Sequence, residues 1–155
     1  MKAAAVLMLV AAVPAQAAFN PVEFFRGRSQ GDGTLKVIFR STEQIRTDNV
    51  GRAEKDGSLV LQQVIHEPGK APRTRYWRMR QTGPNLFEGT LTDAASPVRV
   101  DVTKGGIRIR YTAQNHLNFD QMLTPVSATE VHDTIRVSRF GIVVAHFEET
   151  IRKLD

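Results

Sequence analysis

No cysteine occurs among the 155 residues. That absence excludes disulfides, thiolate metal ligands, thiol catalysis and a lipid anchor on an N-terminal cysteine. Aromatic residues are scarce, at 7% of the chain, and Trp77 is the single tryptophan. Long apolar runs are missing too. The longest, Ala3 to Val13, falls short of the roughly 20 residues that span a bilayer. No G-x-S-x-G elbow surrounds Ser29, Ser41, Ser58, Ser96, Ser127 or Ser138, so the sequence offers no nucleophile in a recognised setting.

What is present begins with that short apolar run. In "MKAAAVLMLVAAVPAQA" a single charge at Lys2 precedes it, and Ala15-Gln16-Ala17 closes it. This is the shape of a cleavable secretory signal with a small-x-small site. The expected division is a signal peptide over 1–17 and one domain over 18–155, soluble and exported to the periplasm. The chain is basic, with a formal charge of +5 and arginine far outnumbering lysine. Outside the cytoplasm such a protein meets anionic lipid or polysaccharide rather than nucleic acid, so an anionic membrane surface is a candidate partner.

The dominant period is two. In "GIRIRYT", Ile107, Ile109 and Tyr111 share one face and Arg108, Arg110 and Thr112 the other, the mark of a half-buried strand. "SLVLQQVI", "RTRYWRMR" and "PVRVDVTK" alternate in the same way. Turn signals separate them, among them "KDG", "EPGKAP", "TGPN" and "KGG". Ten strands are expected, the first over Gly33–Arg40 and the last over Gly141–Arg152, with a short helical turn in "NPVEFFRG". Strands joined by short hairpins form a meander, and a meander of this length removes its edges by closing. The expected fold is all-β, an antiparallel up-and-down barrel of about eight to ten strands, like lipocalins and other calycins; a sandwich is the alternative.

The cluster Gly27, Gly31 and Gly33 invites a phosphate-cradle reading. Such a cradle needs a strand before the glycines and a helix after them. Here aromatics precede and the β-like "TLKVIF" follows, so the glycines read as a turn at the barrel's base with Phe24 and Phe25 capping it. Of the carboxylates, Asp93, Asp101 and Asp120 stand in strand context. His146 and Glu148 share a face, but two ligands make no metal site; no metal and no cofactor are expected. On Arg73–Gln81, Arg73, Arg75, Trp77 and Met79 share one face. If that face is interior, Arg75 needs a carboxylate partner or an anionic ligand. Otherwise the arginines sit at the rim and reach water.

"FNPVEFFRGRSQGDG", "RYWRM", "FEGTLTDA", "NFDQM" and "VSRFGIVVAHFEETIRK" together resemble an uncharacterised bacterial envelope family with a lipocalin-like barrel, a domain of unknown function. The order and spacing agree across almost the whole of 18–155. The family carries an acidic pair followed by tryptophan where this chain reads Asp120-Gln121-Met122, and often a lipobox cysteine. The resemblance implies a fold and a compartment, with no catalytic residue to carry over. "FFRG" also resembles the aromatic-glycine opening of lipocalins, which implies a closing arginine, Arg139 or Arg152, packed over Phe24 or Phe25.

Three functions follow as expectations. The first is a carrier of a small hydrophobic or amphipathic anionic ligand, lipid or fatty-acid-like, held by Arg75, Trp77, Met79, Tyr111 and His146. The second is a structural or interaction protein whose barrel is filled by its own side chains. The third is an enzyme of unidentified chemistry. The barrel itself is expected to be closed by Phe24, Phe25, Gly27, Gly33 and Arg139. The sequence does not reveal the oligomeric state.

Overall fold

Asn20 starts the first element. Its side-chain oxygen accepts hydrogen bonds from the backbone N–H groups of Val22 (2.9 Å) and Glu23 (3.4 Å), capping the helix α1 (Pro21–Phe25). Pro21 at the first helical position has no N–H to leave unpaired. Phe24 and Phe25 turn inward and are buried, packed edge-to-face at 4.9 Å between ring centres. These observations come from a computed structural model, which describes residues 19–155. The expected signal peptide over 1–17 lies outside the described residues.

Ten strands follow: β1 (Gly27–Val37), β2 (Glu43–Ala53), β3 (Leu59–His66), β4 (Arg73–Gly83), β5 (Leu86–Leu91), β6 (Val98–Thr103), β7 (Gly106–Thr112), β8 (Asn118–Pro125), β9 (Glu130–Arg139) and β10 (Ile142–Lys153). Each pairs antiparallel with its neighbour in sequence, and β1 also pairs with β10, so the sheet closes into a barrel without edges. The fold is the expected all-β barrel with a short helix before its first strand.

The glycine-rich stretch departs from expectation. β1 begins at Gly27, not Gly33, and runs through all three glycines. Gly27 has φ of +92°, a conformation cheap for glycine alone, and there the chain swings from α1 into the barrel. Gly31 serves differently. A Cβ on it would run into the Thr47 hydroxyl and the Glu149 carboxylate, so its bareness makes room for both. The missing side chains broke the alternation that would have revealed the strand.

α1 marks the lower end of the barrel. Lys153 holds it there, donating to the carbonyl oxygens of Phe24 (2.8 Å) and Arg26 (2.7 Å) with its ammonium 5.9 Å from the Phe24 ring centre. This is the role the lipocalin comparison assigned to an arginine. Arg139 lies at the opposite, upper end, exposed and 5.2 Å over the Phe140 ring, and Arg152 points outward to Glu130 at 2.9 Å. The lysine takes the place because β10 brings position 153, not 139, beside β1's start.

The lower half of the interior is filled with apolar side chains, among them Leu59, Leu61, Met79, Val98, Val100, Ile107, Leu123, Val131 and Ile151. The outer face is charged. Asp101 accepts from Arg99 and Arg110, and Asp120 accepts from Arg108 and Arg136, at 2.6–3.2 Å. The Arg99 and Arg108 guanidiniums hold Asp101 and Asp120 respectively below the ordinary carboxylate range. Hydrocarbon does not accommodate such an exterior at mid-depth.

Candidate functional site

The upper half of the barrel is not filled. A cavity of about 140 Å³ opens toward the end opposite α1. Its apolar wall includes Leu35, Ile45, Trp77, Phe119, Ile135 and Phe147, and its polar groups include Thr47, Gln63, Arg75, Gln121 and Glu149. Alternation places them: on β4 the inward residues are Arg75, Trp77 and Met79, with Arg73 at the rim.

Arg75 is the near-buried cation of this site. Its side chain is only 13% exposed. It donates to Gln63 Oε1 through Nε (3.2 Å) and Nη2 (2.7 Å), and Trp77 Nε1 donates to the same oxygen at 3.2 Å. Its guanidinium lies 5.4 Å from the Trp77 ring centre. At the rim, Nη1 reaches Asp93 at 3.8 Å. Asp93 also accepts from Arg73 at 3.2 Å. Arg75 is therefore interior, beside Trp77 and near the mouth, combining features of both readings of the sequence.

Two buried carboxyls stand on β9 and β10: Glu149 lines the cavity, and Asp133, fully buried, faces Glu149 in the β9–β10 register. Glu149 Oε2 accepts from Thr47 at 3.0 Å, and Asp133 Oδ2 accepts from Gln121 Nε2 at 2.7 Å. Asp133 Oδ1 is buried with no hydrogen-bond partner. Burial raises the pKa of both. Asp133 is pushed well above the usual carboxylate range by desolvation and by the charge of Glu149, and Glu149 is pushed up to about 6, chiefly by desolvation. Both shifts favour the protonated form, so the pair resists carrying two negative charges.

Trp77 lines the cavity, and Tyr111 supports it from the next layer, 5.8 Å away edge-to-face and stacked on Phe119 at 4.7 Å. Burial pushes the Tyr111 hydroxyl's pKa up, with Arg75 acting in the opposite sense. Met79 lies deeper, in the filled core opposite Leu59. His146 stands on the outer face; its neighbours Phe147 and Glu149 are the inward residues of β10. A register shift between Val143 and Ala145 sets that phase. Sequence reasoning missed Asp133 and Glu149, although Val131, Ile135 and Val137 mark the inner face on which Asp133 falls. Among the described residues, no three His, Asp or Glu side chains converge as a metal site requires.

The chain belongs to a family described as a protein of unknown function, DUF3833, whose profile matches residues 8–153. No curated protein matches it. Its barrel is similar to that of an S-type phycobiliprotein lyase, CPES, from Guillardia theta, with a TM-score of 0.71 and 6% identity over 86% of this chain and 90% of that one. It is also similar to a protein of unknown function from the DUF3598 family of Nostoc punctiforme, with a TM-score of 0.67 and 13% identity over 88% of this chain and 50% of that one. Rv2717c from M. tuberculosis gives a TM-score of 0.67 and 13% identity over 88% of this chain and 99% of that one. At these identities the likeness is one of fold, and the fold it shows is the lipocalin-like barrel.

Proposed function

We propose that the upper half of the barrel receives a small amphipathic acid, its polar group between Arg75 and the Asp133–Glu149 pair and its apolar part against Trp77, Phe119 and Phe147. The observation that carries this reading is a near-buried guanidinium, Arg75, and a buried carboxyl, Glu149, in the wall of one cavity, with a second buried carboxyl, Asp133, beside Glu149. Buried charges and unpaired polar atoms are expensive unless they serve a partner. The volume sets the size. About 140 Å³ is close to the roughly 150 Å³ of an engineered cavity that takes up benzene, and below the roughly 300 Å³ at which drug-sized pockets begin. A short or aromatic acid fits whole; a fatty acid seats its head and extends its tail through the mouth. The filled lower half supports the second reading, a barrel without a ligand, and the same experiment separates the two.

The protein in this reading is exported, soluble and periplasmic, working in the bacterial envelope beside an anionic membrane. The apolar run before Ala15-Gln16-Ala17 and the net charge of +5 support that placement.

Titration of the protein with benzoate, hexanoate and longer alkyl acids, followed by Trp77 fluorescence, tests the ligand. The charged and titratable groups around the site are Arg73, Arg75, Glu67, Asp93, Tyr111, Asp133 and Glu149. Of these, Glu149 changes charge near pH 6. Ionised Glu149 repels a carboxylate, and protonated Glu149 donates to it, so binding strengthens between pH 7.5 and 5.5. Arg75→Gln weakens binding at both pH values, and Glu149→Gln removes the difference between them. If no acid perturbs Trp77 at either pH, the barrel is not a receptor of this kind.

A further inference from the structure

The upper rim carries an apolar outcrop beside the cavity mouth. Of nine exposed large apolar side chains among the described residues, five belong to two adjoining turns: Ile38 and Phe39 after β1, and Phe140, Ile142 and Val143 at the β9–β10 turn. The pairing of β1 with β10 sets these turns side by side, and the Ile38 N–H donates to the Val144 carbonyl at 3.0 Å. Phe39 is fully exposed, at 101%, and Phe140 is 82% exposed.

Both phenylalanines have left-handed backbone, with φ of +60° and +50°. Bulky side chains rarely adopt it, and strain of this kind clusters where a surface has a task. Three cations flank the outcrop: Lys36, Arg40 and Arg139. None has a carboxylate within 4 Å among the described residues, whereas Arg99, Arg108, Arg110, Arg136 and Arg152 on the outer face are each paired. The acidic groups nearest the rim are largely engaged elsewhere. Glu67 pairs with Lys70 and Arg73, and Asp93 with Arg73 and Arg75; Glu43 stands beside Lys70 and Arg40.

We infer that this rim docks on an anionic phospholipid bilayer, Phe39 and Phe140 entering the interface and Lys36, Arg40 and Arg139 meeting the headgroups. Aromatic rings favour that interface, and basic residues near anionic lipid add roughly fivefold each in partitioning. The charge complementarity selects lipid over a second copy of the chain, whose identical rim would bring like charges together. Docking sets the cavity mouth against the membrane, where an amphipathic acid enters or leaves. The inference rests on the envelope reading for its partner but not on the ligand, since vesicle binding and the Trp77 titration are separate measurements.

The test is co-sedimentation of the purified protein with vesicles of phosphatidylethanolamine containing phosphatidylglycerol, and with vesicles of phosphatidylcholine alone. Binding to the phosphatidylglycerol vesicles is expected, weakening as salt rises. The double variant Phe39→Asn with Phe140→Asn is expected to bind at least about tenfold more weakly, since burying even one phenylalanine supplies more than that factor. Asparagine accepts left-handed backbone, so its fold and melting temperature are retained. Replacing Lys36, Arg40 and Arg139 together with glutamine removes the preference for phosphatidylglycerol. Tyr76→Ser, on the outer face of β4 three strands from the outcrop, leaves binding unchanged. Absence of binding, or binding unaffected by the double variant, overturns the inference. So does a concentration-dependent dimer in sedimentation velocity that the double variant abolishes, which assigns the rim to a second copy.

Discussion

At the scale of single residues, Glu149 ties stability to pH. Its folded-state pKa of about 6 stands above the ordinary value of 4.5, so the folded chain holds this proton more tightly than the unfolded one. Stability from that difference is fully present below pH 4.5 and is lost as pH rises through 6, by about 2 kcal/mol. Asp133 shifts in the same sense. Asp48, Asp101 and Asp120 are shifted down, so their contribution is lost only as pH falls below the ordinary carboxylate range. The expected profile is a maximum near pH 4–5 with a decline toward neutrality. In thermal melts Glu149→Gln flattens that decline and raises the melting temperature at pH 7.5. A wild-type melting temperature that climbs from pH 5 to 7.5 contradicts this account.

At the scale of elements, the helix α1 is too short to stand alone, and Lys153 fastens it by satisfying two carbonyls at its end. Lys153→Met strands those acceptors and is expected to cost about 1–3 kcal/mol in chemical denaturation. Arg139→Ala, at the exposed far end, stays within about 0.5 kcal/mol of wild type. Equal losses would mean that the cation on the helix is incidental. Strand positions were legible in the sequence because alternation survives wherever both faces keep their side chains, as in β3, β4 and β7. It failed in β1, where Gly31 and Gly33 occupy inward positions and leave no apolar mark. It failed again in choosing faces on β10, where the irregularity at Val143 and Ala145 sets the phase and Glu149 interrupts the inner apolar series of Ala145, Phe147 and Ile151. Arg75 and Trp77 were legible as neighbours on one face. Their carboxyl counterparts were not, because Arg75 acts on Asp133 and Glu149 electrostatically from another part of the barrel wall, a relation with no local signature in the sequence.

At the scale of the whole molecule, the ten strands and the helix of the described residues divide the interior between a packed base and a hollow top. The division follows from residue size. Large aliphatic side chains point inward near α1, while Gly31, Gly33 and polar Thr47, Gln63 and Gln121 point inward above them. Closure depends on β10, which joins β1 on one side and β9 on the other. A chain ending at Phe140 is therefore expected to lose cooperative melting in circular dichroism and to aggregate in size-exclusion chromatography, its β1 and β9 edges left unpaired. A monomeric truncated chain with a sharp melt would show that closure is dispensable.

The β1–β10 seam also fixes when folding finishes. The partners Ser29 and Lys153 are among the most distant in sequence, so the contact that seals the cylinder carries a high loop-closure entropy and is expected to form late. A chain emerging from its N-terminus carries nine strands with two open edges until its last dozen residues are free. In that interval the open edges are the chain's main exposure to aggregation.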